Sequence, residues 1–92
     1  MKLPRVIEYR FPKPKPRKKK TCGDHVPGRI RIDPRQTPRD YLDTLLHEGL
    51  HEFAPYLDEP AVYFIADCLE QLVTRAGYRR IYAPGKRCGF SK

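Results

Sequence analysis

The stretch Leu45-Leu46-His47-Glu48-Gly49-Leu50-His51-Glu52 imposes a helix and sets two histidines on it at i and i+4. Side chains at that spacing stand one above the other on a single face, so two imidazole nitrogens can be aimed at one point. Tyr41, Leu42, Leu45, Leu46, Gly49, Leu50 and Phe53 repeat at i, i+3, i+4 and define an apolar stripe. At about 100° per residue, His47 and His51 fall nearly opposite the middle of that stripe. A structural histidine belongs within the stripe or at its edge. The placement of this pair therefore favours a metal site over a solvated polar face shared with Asp40, Asp43 and Thr44.

Glu48 lies about 100° round the helix from His47, near enough to reach a water on such a metal and poorly placed to ligate it. Two histidine ligands with a carboxylate as general base form the zinc-hydrolase pattern His-Glu-x-x-His. Zn2+ is thus the expected cofactor, and the expected reaction is hydrolysis of a peptide bond. Zinc lowers the pKa of its bound water and polarises the scissile carbonyl, while Glu48 takes the proton and passes it to the leaving amine. Catalytic zinc usually takes three protein ligands. Asp58, Glu59 and Asp67 follow the histidine pair, and Glu59 is the expected third ligand, because the start of a returning helix can approach the outer face of the first. Asp58 is the better helix cap of the two neighbours, which frees Glu59 for the metal. Tyr56, Tyr63, Tyr82 and His25 are candidate donors to the transition state.

Around this helix the pattern predicts an α+β fold, with a short antiparallel sheet packed on two main helices. Residues 5–11 alternate, with Ile7, Tyr9 and Phe11 on one side, and residues 28–33 alternate with Ile30 and Ile32 inward. These two strands are expected to pair antiparallel. Thr37 as cap, Pro38 at the first position and Asp40 in the first turn start a helix that should run to about Phe53, with Pro55 ending it. Gly49 costs about 1 kcal/mol relative to alanine in a helix, and a close approach to the sheet would explain it. A second helix opens at Glu59-Pro60 and stops at Gly77, with Ala61, Val62, Ile65, Ala66, Leu69, Leu72, Val73 and Ala76 inward and Tyr63, Asp67, Glu70, Gln71 and Thr74 mostly outward. Residues 78–82 form either a short strand or an irregular segment.

The 92 residues make one domain, small enough that a bound metal would add usefully to folding free energy. The formal charge of +8 is concentrated in a Lys/Pro run, read as a mobile basic loop over residues 12–20, and in a second basic region at Arg75, Arg79, Arg80, Lys86 and Arg87, the chain ending in a loose basic tail over residues 84–92. Lys15, Arg17, Lys18, Lys19, Lys20, Arg79 and Arg80 are candidate nucleic-acid contacts, with Tyr78 and Tyr82 interleaved for stacking. A basic nucleic-acid-binding protein, or a catalytically silent domain with a structural metal, is the alternative to a peptidase. Cys22, Cys68 and Cys88 are irregularly spaced, and no signal peptide or membrane-length apolar run is present. The expectation is a cytoplasmic protein with reduced thiols and no membrane partner. Cys22 and His25 with Cys88 are a weak candidate for a second zinc site.

The helix motif with its flanking strand resembles the His-Glu-x-x-His zincins, in particular the small gluzincin-like domains of bacteria and phages of the SprT-like and ImmA/IrrE-like kind. The resemblance covers roughly residues 28–80: the strand Arg29-Ile30-Arg31-Ile32, the helix with Leu45-Leu46-His47-Glu48-Gly49-Leu50-His51, and the helix opened by Asp58-Glu59. It implies zinc on His47 and His51, water activation by Glu48, and a residue of the following helix completing the site. It also implies an edge strand along the cleft that pairs with an extended substrate, a task that falls to residues 29–33. SprT-like members take a third histidine further along the chain, and this sequence has none after His51.

Overall fold

The computed structural model describes residues 2–18 and 20–81. Three strands, β1 (Arg5–Glu8), β2 (Gly23–Val26) and β3 (Arg29–Ile32), are followed by two helices, α1 (Pro38–Phe53) and α2 (Glu59–Arg75). The fold is α+β, as the periodicities predict, but the sheet is mixed rather than antiparallel. Its order is β1-β3-β2. β1 runs parallel to β3 from Arg5↔Arg29 to Glu8↔Ile32, and β2 runs antiparallel to β3 from Gly23↔Ile32 to Val26↔Arg29.

The difference has a local cause. Pro27-Gly28, with Gly28 at φ +84°, closes a two-residue hairpin between β2 and β3. That hairpin claims one edge of β3, and β1 takes the other. A parallel pair needs a crossover of about a dozen residues, which the segment 9–22 supplies. Gly-Asp-His-Val is poor strand sequence by propensity, so β2 is written in the turn that follows it rather than in its own side chains.

Ile30 and Ile32 are fully buried, as their alternation requires, and join Phe11, Ala54, Val62 and Ala66 in the core. Beyond β1, Tyr9 N–H still donates to Ile32 O at 2.9 Å, and Phe11 N–H donates to the buried carboxylate of Asp33 at 3.2 Å. Asp33 also accepts from Arg35 N–H at 3.0 Å and from both Arg35 Nε and Nη2. These contacts hold the Asp33 carboxyl far below the usual carboxylate range, with the Arg35 side chain the main cause.

Both helices begin and end where their caps dictate. Thr37 Oγ1 accepts from Asp40 N–H at 3.2 Å, and Asp58 Oδ1 accepts from Ala61 N–H at 3.0 Å. Ala54 ends α1 just before Pro55, and Gly77 follows α2 at φ +96°. Two expectations about the packed faces change. Glu70 is buried rather than outward, because Arg39 of α1 reaches it through Nε at 2.5 Å and Nη2 at 3.0 Å, and Thr74 Oγ1 donates to it at 2.8 Å. The contact line of α2 is Val62-Ala66-Glu70, one strip round from the purely apolar one, so Leu72 is left 63% exposed. Gly49 is not a close approach: beyond the backbone of its own helix, a side-chain carbon there would meet nothing within 4 Å. It lies instead in an open apolar groove of about 360 Å³ with Leu3, Leu46, Leu50 and Phe53.

Residues 78–81 are irregular rather than a strand, and Tyr82, Cys88 and the basic tail lie outside the described residues. Among the described residues no helix is long and apolar enough to cross a membrane.

Candidate metal centre

α1 carries His47 and His51 on one face, and the turn at residues 54–58 folds α2 back so that Glu59 opens onto that face. Asp58 is occupied as the cap of α2, as its position predicts, and the neighbouring Glu59 is left to face the histidines. His47 Nε2 lies 3.2 Å from His51 Nε2. Glu59 Oε1 is 3.4 Å from His47 Nε2, and Glu59 Oε2 is 3.3 Å from His51 Nε2. Charge-assisted N–H···O bonds are typically about 2.7–2.9 Å long, shorter than these histidine–carboxylate separations. Ligand bonds of about 2.0–2.1 Å arranged as a tetrahedron set the ligand atoms about 3.3 Å apart. The two histidine nitrogens stand at that spacing, each faces a different oxygen of Glu59, and one ligand atom from each of the three residues lies within 4.8 Å of the others. This donor set could hold zinc, and among the described residues it is the only group of three or more ligating side chains that converges. Asp67, the other candidate ligand, accepts a hydrogen bond from Gln71 Nε2 at 2.9 Å on its own helix and is not part of the group.

The face of α1 next to the histidines is covered by β2, and one glycine makes that possible. A side-chain carbon at Gly23 would stand 2.5 Å from Thr44 Cγ2 and 3.1 Å from Arg31 O. Gly23 also lies over Glu48, whose Cγ is 3.6 Å from the same point. Thr44 Oγ1 in turn donates to Gln36 Oε1 at 2.9 Å, while Gln36 Nε2 donates to Asp33 O at 2.9 Å and Cys22 O at 3.4 Å. The start of β2, the end of β3 and the middle of α1 are thereby tied together.

Between residues 20–23 on one side and Asp43, Thr44, His47, Glu48 and Tyr63 on the other is a cleft of about 320 Å³. Burial pushes the Glu48 carboxyl up from its ordinary value, against the opposing pull of His47, His51 and His25. Burial and the neighbouring Asp67 carboxylate raise Asp43 in the same way. Tyr63, one turn beyond Glu59, packs its ring 4.6 Å from that of His47. Of the candidate transition-state donors, Tyr63 lines the cleft, whereas Tyr56 is 84% exposed on the turn between the helices and does not.

His25 has a different place. Its Nε2 donates to Glu52 Oε1 at 2.6 Å, and its ring stacks at 6.4 Å on His51. Glu52 accepts also from Gly28 N–H at 3.3 Å, and its carboxyl is held below the ordinary range by His25. The sequence offered no role for Glu52, and only its position one residue after His51 hints at one. Cys22 and Cys68 are free thiols, and with His25 committed to Glu52 no second cluster forms among the described residues.

Two further expectations change. Residues 29–33 cannot pair with a substrate strand, because β3 is central and hydrogen-bonded on both sides. The sheet edge beside the histidine face is β2. Arg80 is not displayed for an external ligand: its Nη2 donates to Glu8 Oε2 at 2.6 Å and its guanidinium lies 3.9 Å over the Tyr41 ring. Lys15, Arg17, Lys18, Lys20 and Arg79 are exposed, and Lys19 lies outside the described residues.

No family model, curated protein or solved structure matches this chain.

Proposed function

We propose that the chain is a zinc-dependent metallopeptidase, with His47, His51 and Glu59 as the ligand set and Glu48 as the general base. The observation that carries the reading is the convergence of His47, His51 and Glu59, one ligand atom from each lying within 4.8 Å of the others, beside the half-buried carboxylate of Glu48 that lines a cleft. Zinc, when bound, supplies Lewis-acid polarisation of a scissile carbonyl and acidifies water. Glu48, with its carboxyl raised by burial, is suited to accept a proton at a carboxylate oxygen and return it to the leaving nitrogen. The Tyr63 phenol is the donor within reach of charge developing on the carbonyl oxygen. An extended substrate would lie along the Lys20–Gly23 wall, at the open edge of the sheet that β2 forms. Reduced Cys22 and Cys68 suit a cytoplasmic location.

Metal analysis of purified wild type beside His51→Ala tests the site, and peptide turnover by wild type beside Glu48→Gln tests the reaction. The expected result is one equivalent of zinc in wild type and in Glu48→Gln, loss of zinc in His51→Ala, and turnover in wild type alone. Full turnover by Glu48→Gln would remove Glu48 as the base.

A further inference from the structure

The cleft does not end at its own walls. Lys20 lines it together with His47 and Glu48, and Lys20 also lines a second concavity of about 420 Å³ with Phe11, Lys13, Pro14 and Arg35. Thr21 likewise joins the cleft to an adjoining hollow of about 500 Å³ that is bordered by Lys13, Lys15 and Lys18. Lys20 and Thr21 are therefore a shared wall between the candidate metal centre and a basic groove.

The groove has a built floor. Phe11 is buried, with its N–H on Asp33 and its carbonyl accepting from Arg35 Nη2 at 2.9 Å. Prolines 12, 14 and 16 restrict the backbone that carries the lysines. Arg35 is neutralised by Asp33, but among the described residues none of Lys13, Lys15, Lys18 and Lys20 stands in an ion pair. The cleft itself has Asp43 and Glu48 in its wall beside the candidate metal ligand His47. One ligand running through both would reach the cleft with one part and meet the unpaired lysines with a negative part beyond Lys20.

We infer that the groove of Lys13, Lys15, Lys18 and Lys20 binds an acidic flank of the polypeptide substrate, making Lys20 the specificity-determining residue at the junction. This rests on the peptidase reading for the word substrate, while the binding it asserts can be measured without turnover. An acidic peptide is favoured over nucleic acid because the basic groove opens into a cleft walled by the free sheet edge of β2, where a polypeptide main chain can pair and a polynucleotide cannot.

The experiment uses zinc-loaded Glu48→Gln protein and a fluorescent peptide with a neutral apolar half and a run of glutamates in the other half. Its comparators are the same peptide with glutamines for glutamates and a single-stranded oligonucleotide of equal charge. The acidic peptide should bind about tenfold more tightly than the glutamine peptide, as three or four exposed ion pairs would give, and added salt should erase the difference. The triple reversal Lys13→Glu, Lys18→Glu, Lys20→Glu should abolish the preference without unfolding, since all three side chains are exposed. Equal binding of the two peptides, a preference that survives the reversal, or tighter binding of the oligonucleotide would overturn the inference. Turnover by wild type separates the two proposals. If neither peptide is cleaved, the peptidase reading falls while the binding ratio still decides the groove; if both are cleaved at equal kcat/KM, the peptidase reading stands and the acidic specificity falls.

Discussion

Gly23 and Thr44 are packed so tightly that a single methyl between them has no room. The carbon an alanine would place at residue 23 falls 2.5 Å from Thr44 Cγ2 and 3.1 Å from a backbone oxygen of β3, so neither neighbour can simply rotate away. Gly23→Ala is expected to cost about 1–3 kcal/mol through overpacking, read as a lowered urea midpoint. It should also push β2 off Glu48 and widen the cleft. Gly49, inside the His-Glu-x-x-His motif, is the counter-case. It is helical, faces an open groove and, its own helix backbone aside, has no atom within 4 Å of its missing side chain. Gly49→Ala should therefore stabilise the protein by up to about 1 kcal/mol and leave metal binding intact. Equal destabilisation by both variants would mean that the helix lies closer to the sheet at Gly49 than described.

Asp33 joins the extension of β1, the end of β3 and the turn into α1 through one buried carboxylate. Asp33→Asn places an amide nitrogen against donors and should cost about 3 kcal/mol. Its pH dependence follows from the direction of the shift. The folded form keeps Asp33 ionised far below the ordinary carboxylate value, so the stabilisation is complete at neutral pH and is lost as the pH falls through the acid range. Denaturation midpoints measured between neutral pH and roughly pH 3 should fall in wild type. The slope should be shallower in Asp33→Asn, and parallel slopes would show that Asp33 does not drive the loss.

The helices, their caps and the histidine face were legible because each rests on neighbouring residues: Thr37-Pro38, Ala54-Pro55, Asp58-Glu59-Pro60 and the i, i+4 spacing of His47 and His51 all act within one or two turns. What could not be read is what depends on distant chain. Whether β1 or β2 pairs antiparallel with β3 is decided by the Pro27-Gly28 hairpin and not by alternation, which is indifferent to strand direction. Glu70 sits on the polar side of its own helical wheel and is buried only because Arg39, on another helix, comes to meet it. Gly23 and Gly49 look alike in sequence, and only the packed neighbours distinguish the one that is needed from the one that is not.

The Arg39–Glu70 pair gives an asymmetric expectation. Glu70 is buried while the Arg39 side chain is 60% exposed, so the carboxylate depends on its partner more than the guanidinium does. Arg39→Ala should be the more damaging change, because it leaves the Glu70 carboxylate with only Thr74 to satisfy it. Glu70→Leu fills the same space with apolar atoms and frees Arg39 to solvent, and should be close to neutral. Thermal unfolding of the two variants side by side checks the order.

His25 and Glu52 fasten the β2–β3 hairpin to the end of α1, because Glu52 accepts from both the His25 ring and Gly28 N–H. In Glu52→Ala the amide of Gly28 should exchange with solvent faster, while amides in the middle of α2 keep their protection. If the Gly28 rate is unchanged, the carboxylate is not what holds the hairpin.

Asp58 and Glu59 are neighbours of the same charge with separate tasks, and two substitutions should pull these apart. Asp58→Ala removes the acceptor for Ala61 N–H and should cost about 1 kcal/mol of stability in the metal-free protein. Zinc affinity should be little changed, because Asp58 is outside the converging group. Glu59 is 61% exposed at its side chain, so Glu59→Ala should hardly alter the metal-free protein. It should instead weaken zinc binding by tenfold or more and shrink the stabilisation that zinc confers. For wild type that stabilisation should reach about 2.7 kcal/mol when free zinc is a hundred times its dissociation constant. Calorimetric titration with zinc and unfolding with and without a chelator give both quantities. A Glu59→Ala protein that binds zinc as wild type does would take the carboxylate out of the ligand set and leave the two histidines without their third partner.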